Sequence, residues 1–198
     1  MTNRTRKSAN GAVAAVSALT ICALALGARV PEGWYLAGSK PASYEAGTDE
    51  QAEYNAHPSA YLKSKEIVTD GFGTLMQNFS AEKYLGKRVR FSAFVKSEHV
   101  EDWAGLWMRV DKGSELVSLD NMQDRAIKGT TEWKAYEVVL DVPPDATGIS
   151  FGVLLARTGA VWLNSVKFEM VDASIPVTGR PSREEPTNLD FEKQADIR

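Results

Sequence analysis

The sequence predicts an all-β domain of the jelly-roll β-sandwich type. Three observations carry that expectation. From residue 60 onward, short runs of β-forming residues recur at close spacing; several of them alternate apolar and polar side chains; and turn-forming residues separate one run from the next. Helical periodicity is scarce throughout this region.

The predicted strands, in order, are AYLKSKEIV (60–68), FGTLMQNF (72–79), KRVRFSAFVKSE (87–98), WAGLWMRVD (103–111), SELVSLD (114–120), KAYEVVLDV (134–142), GISFGVLLA (148–156) and AVWLNSVKFEMV (160–171). In the third, Val89, Phe91, Ala93 and Val95 share one face and Arg88, Arg90, Ser92 and Phe94 the other, because successive strand residues point to opposite sides. In the fourth, Ala104, Leu106, Met108 and Val110 make a core face, opposite Trp103, Gly105, Trp107 and Arg109. Turns are expected at DG (70–71), DKGS (111–114), PPDATG (143–148) and RTG (157–159), and a short helix near SAEKYLG (80–86). No repeat or low-complexity tract is present.

The chain has 198 residues, 43% hydrophobic and 25% charged, a normal composition for one globular domain. Four basic residues (Arg4, Arg6, Lys7, Arg29) and no acid lie before residue 30. The remainder holds 19 basic and 26 acidic residues, a net of −7. An acidic body is poorly suited to a phosphate backbone, so no nucleic-acid partner is expected.

Residues 1–29 read as a signal peptide or membrane anchor. MTNRTRK is basic, and GAVAAVSALTICALALGA (11–28) is an uncharged apolar run near the ~18-residue lower limit for a membrane span. Ala23-Leu24-Ala25 offers a small-x-small cleavage pattern; without cleavage, the flanking positive charge sends the C-terminal body outward. Either way residues 30–198 are expected outside the cytoplasm, periplasmic, extracellular or anchored at the inner membrane, with membrane contact through 11–28 if the signal stays uncleaved. The single cysteine, Cys22, lies in that run, and the preceding Leu19-Thr20-Ile21 is too bulky for a good lipoprotein site. The body can therefore form no intrachain disulfide.

The β-sandwich is expected over residues 30–171. The tail, 172–198, is rich in proline and charge and contains a strand-like TNLDFE at 187–192.

The face carrying Trp103, Trp107 and Arg109 is the candidate ligand-binding face. Indoles offer flat apolar surfaces to sugar C–H groups, and Arg109, Gln77, Asp120 and Asn121 offer polar partners for hydroxyls. Gln77 shares a strand face with Phe79, which places an amide beside an aromatic. The competing reading is that the indoles cap the sandwich or pack beneath a loop. An Arg109–Asp120 pair across neighbouring strands would orient the guanidinium for a carboxylate or uronic acid. Trp34, Trp133 and Trp162 read as structural.

Several stretches together resemble a bacterial family: EGWYLAGSKPASYEAGTD, SAYLKSK, GFGTLMQNFSAEKYLGKRVRFSAFVKSE, WAGLWMRVD, LDNMQDRAIKGTTEWKAYEVVLDVP and FGVLLARTGAVWLNSVKFE. Members carry one galactose-binding-like β-sandwich, similar to jelly-roll carbohydrate-binding modules, and are often labelled AraC-type transcriptional regulators because the domain can follow a helix-turn-helix. The resemblance covers 32–171 and implies a sandwich that recognises a carbohydrate or small molecule. The present sequence has no helix-turn-helix pattern.

Two departures from the family pattern stand out. The N-L-D-F-E-like strand that commonly precedes the G-W segment is missing there and occurs instead at Asn188–Glu192, so two readings of the tail stand: a floppy linker, or a strand that fills the first-strand position in cis or in a neighbouring molecule, a route to self-association through 187–192. Asn164-Ser165 stands where related modules often hold an Asp-Asp pair for structural calcium, which weakens the case for calcium, although amide and backbone oxygens also coordinate it. No cofactor and no catalytic or metal-ligating residue is expected.

An enzyme is the weaker expectation. His57 and His99 lie in polar, loop-like sequence with no triad or metal spacing, and acids such as Asp111, Asp120 and Glu137 are too common to mark a catalytic pair. The sequence thus points to non-catalytic ligand binding. The alternatives are a small hydrolase, lyase or isomerase working on the same face, and a structural or assembly protein.

Overall fold

The computed structural model describes residues 29–179, with 189, 190 and 192. The apolar segment 11–28 lies outside the described residues, as does most of the segment 187–192 read from sequence as strand-like, of which Leu189 and Asp190 form an exposed turn. Among the described residues no helix is long and apolar enough to cross a membrane.

Nine strands are present among the described residues: β1 (Tyr35–Gly38), β2 (Tyr44–Tyr54), β3 (His57–Ser64), β4 (Phe72–Ser80), β5 (Lys87–Lys112), β6 (Glu115–Asp120), β7 (Ile127–Val142), β8 (Gly148–Ala156) and β9 (Ala160–Val171). All pair antiparallel. The helix expected near 80–86 is a single 3₁₀ turn, Glu82–Tyr84.

β5 organises the molecule. The two strands predicted at 87–98 and 103–111 are one strand of 26 residues that changes partners along its length. Its first half runs between β7 and β9, and its second half between β8 and β6. One layer is therefore β1-β4-β8-β5-β6, the other β7-β5-β9-β3-β2.

A change of layer raises a problem of register, because a one-residue slip turns every side chain to the wrong face. Odd-numbered residues (Val89, Phe91, Ala93, Val95) are buried in the first half of β5, and even-numbered ones (Ala104, Leu106, Met108, Val110) in the second. The parity changes between them, where pairing with β7 is irregular and His99 adopts φ +51°. Such a bulge adds one residue, bends the strand and re-aims the side chains beyond it. His99, expected in a loop, thus sits in the hinge that lets both apolar sets face inward.

The layers join through aromatic side chains. Phe151 of β8 meets Phe91 of β5 at 4.8 Å and Phe168 of β9 at 5.2 Å between ring centroids. Phe79 of β4 meets Phe168 edge-on at 5.3 Å. Such pairs contribute about 0.5–1.5 kcal/mol each beyond the area they bury.

β1 and β2 lie ahead of the first predicted strand. β2 forms an outer edge and carries Glu45, Asp49, Glu50 and Glu53, charges that discourage edge-to-edge association. The same charges hide it from a reading based on β-branched and aromatic runs.

Candidate functional site

A cleft of about 680 Å³ opens between the two layers. Trp34, Gln77 and Phe151 line it from one layer, and Thr48, Asn164 and Phe168 from the other. Its geometry comes from strand register. Gln77 pairs with Phe151, and Tyr35 pairs with Met76, which sets Trp34, one residue earlier, level with Gln77. The preceding turn is closed by the Trp34 N–H donating to the Pro31 carbonyl at 3.0 Å, with Gly33 at φ +80°. The Trp34 ring then packs edge-on against Phe151 at 5.5 Å.

The polar groups of the cleft fall into two kinds. Asn164 is committed: its Nδ2 donates to the carbonyls of His57 (3.0 Å) and Pro58 (3.2 Å) and to Ser59 Oγ (3.0 Å), and its Oδ1 accepts from Ser165. The amide nitrogen supplies the donor that these clustered oxygens need, a role no carboxylate could fill without a cation. By contrast, the Gln77 amide and the Thr48 hydroxyl have no hydrogen-bond partner among the described residues, and no buried polar side-chain atom there is left unpaired. The Gln77 and Thr48 groups therefore face water. No Asp, Glu, Lys or Arg lines the cleft among the described residues.

The six residues singled out from sequence divide among three places. Gln77 alone reaches this cleft. Trp103, Trp107 and Arg109 lie on the outer face of the layer containing β8, and Asp120 and Asn121 lie at the end of β6.

On the outer face, the space left by Gly105 is filled by protein. The loop after β6 crosses it so closely that a Cβ on Gly105 would stand 2.9 Å from Met122 Cβ and 3.1 Å from the Asn121 carbonyl, with Trp103 alongside at 3.7 Å. Met122 is buried there. The Trp107 indole stands opposite Gly152, and its Nε1 donates to the buried Thr74 Oγ1 at 2.7 Å. This part of the face is a second packed layer, the arrangement expected of indoles beneath a loop.

The expected Arg109–Asp120 pair does not form. Arg109 Nε donates to Asp111 Oδ1 at 2.6 Å on its own strand. Asp120, 5% exposed, accepts instead from Arg125 Nη2 (2.5 Å), Arg125 Nη1 (3.1 Å), Thr178 Oγ1 (2.6 Å) and the Met122 N–H (2.9 Å). Burial alone would raise the Asp120 pKa, but the hydrogen bonds from Arg125, Thr178 and Met122 outweigh it and hold the carboxyl below its ordinary value. Asn121 caps the next turn, its Oδ1 accepting from the Gln123 N–H at 3.1 Å.

Trp34, read from sequence as core, and His57, read as a loop residue, both border the cleft; Thr48 was not singled out at all. The spacing of Trp34 relative to β1 could have found it had that strand been anticipated.

Among the comparisons with known proteins, the solved structures bear on the fold. No family model matches the chain. It is 46% identical over 169 residues to the uncharacterized HTH-type transcriptional regulator YbfP of Bacillus subtilis, covering 82% of this chain and spanning 57% of that relative's length. Among solved structures, the CBM22-1 xylan-binding domain of Paenibacillus barcinonensis Xyn10C superposes with a TM-score of 0.52 at 14% identity, covering 73% of this chain and 89% of the other. The enzymatically active domain of tailspike protein 4 from bacteriophage CBA120 gives 0.55 at 14% identity over 71% of this chain and 20% of its own. The described domain has the β-sandwich fold of carbohydrate-binding modules.

Proposed function

We propose that this chain is a non-catalytic glycan-binding protein, exported by its basic and apolar N-terminal segment, whose inter-layer cleft holds an uncharged stretch of sugar chain. One observation carries the reading: a charge-free cleft in which aromatic walls flank amide and hydroxyl groups that the described residues leave unpaired. Aromatic surfaces suit sugar C–H faces, and unpaired amides suit hydroxyls. The fold shared with xylan-binding modules supports it.

The test is calorimetric titration of the full chain with two neutral probes, xylohexaose and β-1,4-galactotriose. Binding of either is expected, weakened about five- to tenfold by Gln77→Ala, the effect of one net hydrogen bond. A further expected result is that prolonged incubation leaves both sugars uncleaved. Failure of the intact, folded chain to bind either sugar, or the appearance of cleavage products, overturns the proposal.

The 46% identity to an HTH-type regulator favours a second reading, in which this sandwich is the ligand-sensing part of a regulatory protein. Ligand-dependent change in whatever the domain is joined to would distinguish sensing from simple capture.

A further inference from the structure

The geometry points to a second subsite, on the outer face of the layer containing β7, that takes an acidic sugar unit carried by the same glycan; this inference rests on the glycan reading of the cleft. The two places meet at a defect in β9. Ser92 pairs with Lys167 and Phe94 with Asn164, so Ser165 and Val166 together face Ala93 alone. Ser165 takes φ +50° at this bulge. It thereby borders both the inter-layer cleft and a separate pocket of about 310 Å³ on the outer surface. Ser165 is thus the border that the cleft and the pocket share.

The pocket differs from the cleft in one respect. Phe94 and Tyr136 supply aromatic surface, and Asn55, Ser92 and Ser165 supply neutral polar groups, as in the cleft, but here Lys167 adds a positive charge. The aromatic part is rigid: Phe94 is stacked on Tyr54 at 4.4 Å, and Tyr54 also meets Trp133 at 5.3 Å. The Tyr54 contact brings the tip of the β2–β3 hairpin over this face, placing Asn55 at the rim.

Lys167 has no acidic partner among the described residues, and the nearby acids are already engaged. Arg90, one cross-strand row away, pairs with Glu169 at 2.8 Å and with Glu137 at 3.6 Å. An ammonium without a partner beside aromatic and hydroxyl groups matches a pyranose bearing a carboxylate, and the neutral cleft next to it matches the uncharged chain from which such a unit branches. A free phosphate would use the lysine alone and gain nothing from the aromatic wall. A strongly anionic polymer is opposed by the acidic body and by the uncharged cleft.

The experiment titrates the full chain with xylohexaose and with the same hexasaccharide bearing one uronic acid side unit. At low salt the acidic sugar is expected to bind about three- to fivefold more tightly, the range of a solvent-exposed ion pair, and raising the ionic strength should erase the difference. Lys167→Gln should bring the ratio of the two affinities to one or below, and Lys167→Arg should restore it. The exposed position of Lys167 makes both variants compatible with folding. A ratio of one in the parent protein, or an advantage that survives Lys167→Gln, overturns the subsite while leaving the cleft reading intact. Binding of neither sugar removes the glycan reading and the subsite with it.

Discussion

The inter-layer cleft and the seam around Asp120 are built from similar materials, and they do opposite things. Each sets polar side chains beside apolar ones near the end of a strand. At the seam both oxygens of the carboxylate are taken: Asp120 of β6 binds Arg125, Thr178 and the Met122 amide, while Arg125 also reaches the Glu137 carbonyl of β7 at 3.2 Å. Thr178 closes the free edge of β7, its N–H donating to the Val139 carbonyl at 3.0 Å and its Oγ1 accepting from the Val139 N–H at 2.7 Å. In the cleft, Gln77 and Thr48 hold nothing among the described residues. The lesson is that a polar residue's function depends on whether the protein has already satisfied it, and residue type alone does not say.

The strongest way to break this comparison is Asp120→Ala. It strands a guanidinium that is two-thirds covered and removes the bond that ties Thr178 to β6. A loss of about 2–4 kcal/mol in denaturant unfolding is expected, the upper range being reserved for fully buried pairs. Glycan affinity of the folded fraction should stay within twofold. Loss of binding without loss of stability would make Asp120 a ligand residue after all. The same contact gives a pH signature. Because the folded-state pKa of Asp120 lies below the unfolded value, its stabilisation is complete above the ordinary aspartate pKa of about 3.9 and declines as pH falls through the lower folded value. Asp120→Asn should therefore be less stable than the parent protein at neutral pH, and the gap should narrow as pH falls below about 4. A gap that stays constant down to the acid transition would show that the charge on Asp120 contributes nothing to the seam.

Next in size is Gly105→Ala. The added Cβ has no room beneath Met122 and the Asn121 carbonyl, and about 1–3 kcal/mol of destabilisation is expected from overpacking. Thermal unfolding measures it directly. An unchanged midpoint would mean that the loop lifts freely, and that the outer face is more open than its packing indicates.

These sites show which parts of the molecule were legible from sequence. The alternation at 104–110 gave the correct core face because period-two burial is a property of the strand alone. The bulge at His99 was hidden, since nothing in SEHVED announces a left-handed residue, and so one strand was read as two. β2 was hidden because an edge strand need not be apolar. In the candidate cleft, Gln77 is a residue the sequence singles out beside Phe79, whereas Trp34 and Thr48 belong to strands or turns that the sequence reading does not anticipate. Asp120 and Arg109 were both recognised as paired residues, but the partners depend on a loop crossing that brings Arg125 to Asp120. Pairings between distant segments are set by topology, and side-chain chemistry offers several equally good choices.

The smallest effect sharpens the boundary between the two indoles and the cleft. Trp107→Phe keeps most of the apolar surface packed beside Gly152 and removes only the Nε1 donor to Thr74. Thr74 is buried, but its hydroxyl also donates to the Val153 carbonyl at 2.8 Å, so it is not left without a partner. The expected cost is therefore about 0.5–1.5 kcal/mol, that of one net hydrogen bond, read as a small shift in the unfolding midpoint. Affinity for xylohexaose should change less than twofold. A tenfold loss of affinity in a variant that unfolds like the parent would move the binding site from the cleft to the outer face, because a residue whose only role is packing cannot change affinity without first changing stability.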